Sequence, residues 1–161
     1  MKQLFLLIGS NLGDRRAYLE KAINLIDFRV ASIGQKSTIY ETAPWGNTDQ
    51  PHFLNQVLSL KSNLHPEELL SICKNIEKSI GRVATDRWGP RIIDIDILLY
   101  GDMVYQSHTL QIPHPMMQDR MFTMVPLAEI APDFVHPVLG GNIQLLKDKC
   151  ADTMPTFPLE K

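Results

Sequence analysis

The segment Arg87–Tyr100, RWGPRIIDIDILLY, constrains this chain more than any other. Its branched apolar residues, bounded by Gly89-Pro90 and by Gly101, have the composition and length of a single strand. Side chains of a strand point alternately to opposite faces, so Asp94 and Asp96 share a face, roughly 6–7 Å apart along the chain. Ile93, Ile95, Ile97 and Leu99 fall on the other face and are expected in the core. Ile92, Leu98 and Tyr100 alternate with them on the acidic side, so that face is not simply open to water. Aspartate is depleted in strands, and a buried carboxylate needs a partner. Any fold for this chain must bury the strand and still provide for two acids.

The rest of the chain supplies the layers. Leu4 to Ile8 reads as a first strand, followed by the turn GSNLGD at 9–14, whose polar groups suit a helix cap. Apolar residues from Ala17 to Ile26 recur at helical spacing, which predicts a helix over about 14–28. Strands are expected near 29–34, 37–41 and 55–62, with a polar loop between Thr42 and Phe53. His65-Pro66-Glu67-Glu68 opens a second helix that Gly81 ends, because proline and acidic residues suit a first turn. After Gly101 the pattern weakens among prolines at 113, 115, 126, 132 and 137. With two substantial helices among several strands, the expected class is α+β: helices on a mainly antiparallel sheet, in a ferredoxin-like plan. The 161 residues fit one domain, 1–161.

Charge and composition narrow the function. Sixteen basic against eighteen acidic residues give a net charge of -2, which argues against a general nucleic-acid surface. Cys73 and Cys150 have no metal-ligand spacing and suggest a reducing compartment. The apolar N-terminal run is too short for a membrane span and lacks a cleavage pattern, so a cytoplasmic protein with no membrane partner is expected.

Two carboxylates on one strand face can form an acid/base pair, a divalent-metal site or a solvated face. Arg82, Arg87 and Arg91 stand nearby, and they could merely neutralise the acids. In a loop containing glycine and proline they could instead meet a ligand. Carboxylates for Mg²⁺ beside guanidinium forks for phosphate are the combination phosphoryl transfer requires, and an acid/base pair leaves three arginines unexplained. Phe53, Trp88 and Phe122 could be core residues or could flank a flat heterocycle. Asn55 can both donate and accept at a heterocycle edge. The turn at Gly9–Gly13 lacks a P-loop lysine and reads as a tight strand-to-helix connection.

GSNLGD at 9–14, ETAPWG at 41–46, QPHFLNQV at 50–57, IEKSIGR at 76–82, RWGPRIIDIDILLYGD at 87–102, IPHP at 112–115 and VPLAEIAPDFVHP at 125–137 together resemble the 6-hydroxymethyl-7,8-dihydropterin pyrophosphokinases of folate biosynthesis. The resemblance implies a ferredoxin-like α/β/α sandwich, ATP as co-substrate, two Mg²⁺ ions, and transfer of diphosphate to a pterin hydroxymethyl group. It implies that Asp94 and Asp96 hold the metals and that Arg82 and Arg91 secure the triphosphate. Asp96 is the candidate proton acceptor. Lys74, Glu77, Arg87, His114 and Arg120 would line the nucleotide site, with Ile97 meeting adenine through its backbone. Asn55 would read the pterin edge, Phe53 and Phe122 would sandwich the ring, Trp88 would close the pocket, and Thr42, Pro44 and Trp45 would meet the remaining edge. Small-molecule substrates are the expected partners, and a monomer is favoured.

The chain departs from the family pattern at a few places. Ala84 stands where many members carry another arginine, Lys74 where some have glutamine, and Met116 and Gln118 where basic residues are frequent. A metal-dependent phosphohydrolase or nucleotidyltransferase using the same Asp-x-Asp strand, and a regulatory binding module without turnover, are the competing readings.

Overall fold

The computed structural model describes residues 1–44, 46, 48–84 and 89–159. Strand β1 (Lys2–Ser10) leads through the glycine turn into helix α1 (Arg15–Arg29). Asp14 caps that helix, its carboxylate accepting from the Ala17 amide at 3.1 Å. Strands β2 (Ile33–Lys36), β3 (Tyr40–Thr42) and β4 (Phe53–Ser62) follow, then helix α2 (Pro66–Ile80). His65 caps α2, Pro66 opens it, and Gly81 closes it at φ 119°, a backbone conformation that suits glycine. Strand β5 (Asp94–Tyr100) is the aspartate strand. A short β6 (Tyr105–Gln106) and β7 (Gln111–Ile112) hairpin, helices α3 (Met121–Ile130) and α4 (Ile143–Asp148), and strand β8 (Thr156–Pro158) complete the order.

The main sheet runs β5-β1-β4-β3-β8, with β2 also paired to β4, and every pairing in it is antiparallel. Helices α1 and α2 cover one face over a core that includes Leu4, Leu6, Ile8, Leu58 and Ile76. Helices α3 and α4 cover the other over Phe5, Leu7, Val57, Met124 and Leu127. This is the α+β, ferredoxin-like plan, with apolar alternation in β1 and β4 feeding both layers.

Three sequence expectations need correction. The second strand begins at Ile33 rather than near 29, because α1 runs to Arg29 and Asp27 then accepts the Ile33 amide at 2.8 Å. The third strand is Tyr40–Thr42 rather than 37–41. The aspartate strand is also not regular to its end. A register shift against β1 between Phe5 and Leu6 makes a bulge, so Leu99 joins Leu98 in the α3 layer while Tyr100 joins Ile93, Ile95 and Ile97 in the other. Simple alternation places Leu99 and Tyr100 the other way round.

The bulge carries a stability prediction. Tyr100 is 1% exposed, and its hydroxyl donates to the Leu64 carbonyl at 2.7 Å across the α2 layer. Tyr100→Phe leaves that carbonyl unpaired and should cost about 1–2 kcal/mol in urea unfolding with turnover unchanged. A neutral result would mean that Tyr100 does not face this layer.

Candidate active site

The sheet register builds the site. Across neighbouring strands, Asp94 on β5 stands opposite Gly9 on β1, and Gly9 stands opposite Asn55 on β4. Strands lie about 4.8 Å apart, so Asp94 and Asn55 are separated by about 10 Å with no side chain between them. A Cβ on Gly9 would come within 2.8 Å of Asn55 Oδ1 and 3.6 Å of the Phe53 ring, so the glycine is the floor of a slot. Asn55 donates from Nδ2 to Thr42 Oγ1 at 2.8 Å, which turns its Oδ1 over that floor as an acceptor. Thr42 and Phe53 are register partners on β3 and β4, and Phe53 shares the face of Asn55.

The cleft over this row brings together Thr42, Phe53, Asn55, Arg91, Asp94, Asp96, Arg120 and Phe122. Leu7, Gly9 and Ala43 complete its lining. One end is thus aromatic and amide-bearing, the other acidic with arginines. Arg120 and Phe122 come from the start of α3, where the guanidinium carbon lies 5.4 Å from the Phe122 ring centre.

The acids are held unequally. Arg82 Nη1 donates to Asp94 Oδ1 at 2.7 Å, and Arg91 Nη1 reaches Asp94 Oδ2 at 3.3 Å. Among the described residues Asp96 has no ion-pair partner. Burial, and then the charge of Asp94, push the Asp96 carboxyl up to about 7, with Lys74 and Arg120 opposing them. Behind Asp94, the buried carboxylate of Glu77 accepts from the Ile95 amide at 2.7 Å and pairs with Arg82 at 3.0 Å and Lys74 at 3.3 Å. Burial and then Asp94 raise the Glu77 pKa, while Lys74, Arg82 and the amide restrain it. Burial acts to lower the Arg82 pKa, but Asp94 and Glu77 more than offset it and raise it overall.

Strand β5 lies at one end of the sheet order, and groups from outside the sheet bond its backbone. Glu77 takes the Ile95 amide, and the His114 amide donates to the Leu98 carbonyl at 2.9 Å. His114 itself lines a neighbouring groove with Gln111, Gln118 and His136 rather than the cleft. Its Nδ1 accepts the Met116 amide at 3.2 Å, which leaves its proton on Nε2. Burial and then Arg120 push its pKa down to about 4, so it is neutral at pH 7. Ile97 is buried in the α1–α2 layer, and Pro44 is buried beside the cleft without lining it. Trp45, Arg87 and Trp88 lie outside the described residues.

Sequence reading missed Asn11. Its side-chain amide donates to Gln50 Oε1 at 2.9 Å and to the Pro51 carbonyl at 3.0 Å. Its Oδ1 accepts the Arg91 amide at 2.8 Å, and its own amide donates to the Arg91 carbonyl at 3.1 Å. One residue of the turn after β1 therefore fastens both chain segments that border the cleft. An asparagine in a Gly/Ser turn reads as turn chemistry, and only the long-range partners reveal this role. Gly9 was missed for the same reason.

A cation at the aspartates fits the donor set. No group of three or more His, Cys, Asp and Glu that could hold a metal exists among the described residues. Mg²⁺ characteristically takes one or two carboxylates and completes its shell with phosphate oxygens and water. Two carboxylates beside phosphate-binding arginines suit that habit.

The raised pKa of Asp96 predicts a pH-dependent stability in the ligand-free protein. The folded chain keeps this proton up to about pH 7, against an ordinary value of 3.8, so the stability from this group is full in acid and lost as pH rises through 7. Asp96→Asn removes this half-buried charge. It should raise the melting temperature by roughly 2–8 °C at pH 8, with a smaller gain at pH 5. A gain that does not shrink in acid would refute the assignment.

The chain is similar to known proteins. A family model described as 7,8-dihydro-6-hydroxymethylpterin-pyrophosphokinase (HPPK) matches residues 5–132. A protein of Aquifex aeolicus named 2-amino-4-hydroxy-6-hydroxymethyldihydropteridine pyrophosphokinase is 46% identical over 147 residues, covering 91% of each chain. A Bacillus subtilis protein of the same name is 43% identical over 127 residues, covering 78% of this chain and 76% of its own. In the fold comparison, a Plasmodium falciparum HPPK-DHPS structure aligns with a TM-score of 0.75 at 18% identity, over 92% of this chain. This chain spans 43% of that longer one. With a family match over most of its length and relatives at this identity, the chain belongs to the HPPK family.

Proposed function

We propose that this chain transfers diphosphate from ATP to the hydroxymethyl group of 6-hydroxymethyl-7,8-dihydropterin, giving AMP and the pterin diphosphate in folate biosynthesis. Family membership supports the reaction, and one observation carries its location. The row Asp94–Gly9–Asn55 leaves a gap about two strand spacings wide between an acidic end and an amide end. A flat heterocycle lying over Gly9 has its ring edge at Asn55 and its substituent directed toward the aspartates.

In this reading Phe53 and Phe122 flank the ring, Asn55 Oδ1 accepts from its edge, and Thr42 fixes the Asn55 amide. The backbone around Pro44 and Trp45 meets the remaining edge, and Trp88 closes the pocket. Asp94 and Asp96 are the carboxylates that would hold two Mg²⁺ ions. Bound there, the ions would neutralise phosphate charge and polarise the phosphoryl oxygens. Arg82 and Arg91 bind the triphosphate, while Arg120, Arg87, Lys74, Glu77, His114 and the Ile97 backbone serve the nucleotide. The substrate hydroxyl attacks the β-phosphorus in line: the new O–P bond forms, the bond to the α-phosphate oxygen breaks, and AMP leaves. In this reading Asp96 would take the hydroxyl proton. His114 is neutral and presents an N–H donor, so it binds rather than withdraws protons.

Incubation with ATP, Mg²⁺ and the pterin should release AMP only when the pterin is present. Phosphate release without pterin would support a hydrolase instead, and ligand binding without turnover a regulatory module. Arg91→Ala should slow turnover about 100-fold and change the pterin KM less than about 3-fold, because its role is on the phosphoryl group. Gly9→Ala should do the reverse, raising the pterin KM at least about 10-fold by displacing Asn55 from the slot. Equal effects of the two substitutions on the pterin KM would remove the division of the cleft into two ends.

A further inference from the structure

The slot has a fastening that no sequence motif announces. Helix α3 begins at Met121, between two residues that line the cleft, Arg120 and Phe122. Its N-cap residue, Arg120, makes no side-chain cap hydrogen bond. The Met121 amide is instead taken by Asp152 Oδ2 at 2.9 Å, from a carboxylate 31 residues further along. The other oxygen of Asp152 accepts the Met154 amide at 2.9 Å, which fixes the carboxylate itself. Four residues beyond Asp152, Thr156 pairs in β8 with Thr42 in β3, the residue that holds the Asn55 amide. The Leu159 amide closes the strand onto the Ile39 carbonyl at 2.9 Å.

The C-terminal segment therefore joins the two walls of the slot from outside. One end grips the start of α3, which carries Phe122, and the other grips the strand that orients Asn55. Four residues span at most about 14 Å, so the segment limits how far the walls can separate.

We infer that Asp152 is a positioning residue for pterin binding: it fixes the start of α3 against β3 and so sets the width of the slot between Phe122 and Asn55. This rests on the pterin reading of the cleft. Asp152 touches neither substrate, and its effect reaches them through the Met121 amide.

The test compares Asp152→Ala, Asp152→Asn and Phe122→Ala at a temperature well below unfolding, with KM scaled to the folded fraction. Asp152→Ala should raise the pterin KM about 10-fold while turnover at saturation falls less than about 3-fold. Asp152→Asn keeps a carbonyl oxygen for the Met121 amide and should restore the KM to within about 3-fold. A lower melting temperature for Asp152→Ala with an unchanged pterin KM would overturn the inference, since a purely structural role predicts that. Phe122→Ala separates the two readings. If it raises the pterin KM and Asp152→Ala does not, the positioning role alone falls; if it leaves the KM unchanged, the pterin reading of the cleft falls with it. Should Asp152→Ala not fold, reciprocity supplies a measurement on the unaltered chain. Saturating pterin should slow hydrogen exchange at the Met121 and Met154 amides about 10-fold, and unchanged rates would refute the coupling.

Discussion

Asp94 is the point on which the site turns. Its two carboxylate oxygens are taken separately by Arg82 and Arg91, and Arg82 is shared with the buried Glu77. Each oxygen of this carboxylate thus has its own guanidinium donor. Asp96 lacks such partners among the described residues, and burial first, then its neighbour's charge, raise its pKa. The same two arginines are those proposed for the triphosphate. Each of them spends only Nη1 on Asp94, so in the proposed reading its other N–H groups would serve the phosphates.

The sheet acts as the ruler for the rest of the cleft. Antiparallel register across β5, β1 and β4 sets Asp94, Gly9 and Asn55 in one line, and no loop is needed to place them. Loops contribute what the sheet cannot, which is reach. Asn11 helps to place them, its four hydrogen bonds joining Gln50 and Pro51 on one side to Arg91 on the other. A buried asparagine with every bond made is specific in a way that apolar packing is not, because a shifted loop leaves its amide unsatisfied.

What sequence reasoning could reach followed from local pattern. The paired aspartates, the helices with their caps and the alternation of β1 and β4 are all written in spacings of two or of three and four. The bulge that exchanges Leu99 and Tyr100 is not, because register against β1 decides it. Helix α3 was hidden by Pro126, whose ring lacks the amide that would bond the Phe122 carbonyl, yet the helix persists because Met124, Leu127 and Ala128 are buried around it. The residues missed at the site, Gly9, Asn11 and Asp152, act through partners 31 to 80 positions away or through the absence of a side chain. Neither property has a local signature.

The departures from the family pattern take on meaning once the contacts are known. Met116 occupies a position where basic residues are frequent, and here its sulfur accepts from Arg120 Nη2 at 3.2 Å. A cation at that point would repel the guanidinium of Arg120, a buried residue, so the thioether supports Arg120 without adding charge. Lys74 stands where some members have an amide, and it pairs with Glu77 at 3.3 Å while lowering the pKa of Asp96. Met116, Gln118 and Ala84 thus each stand where a basic residue is frequent, while Lys74 adds one on α2, close to the carboxylates. Gln118 turns its amide to the Pro115 carbonyl. The departures therefore lower the positive charge around the cleft on balance, and the cation they add stands on α2, where it opposes the raised pKa of Asp96.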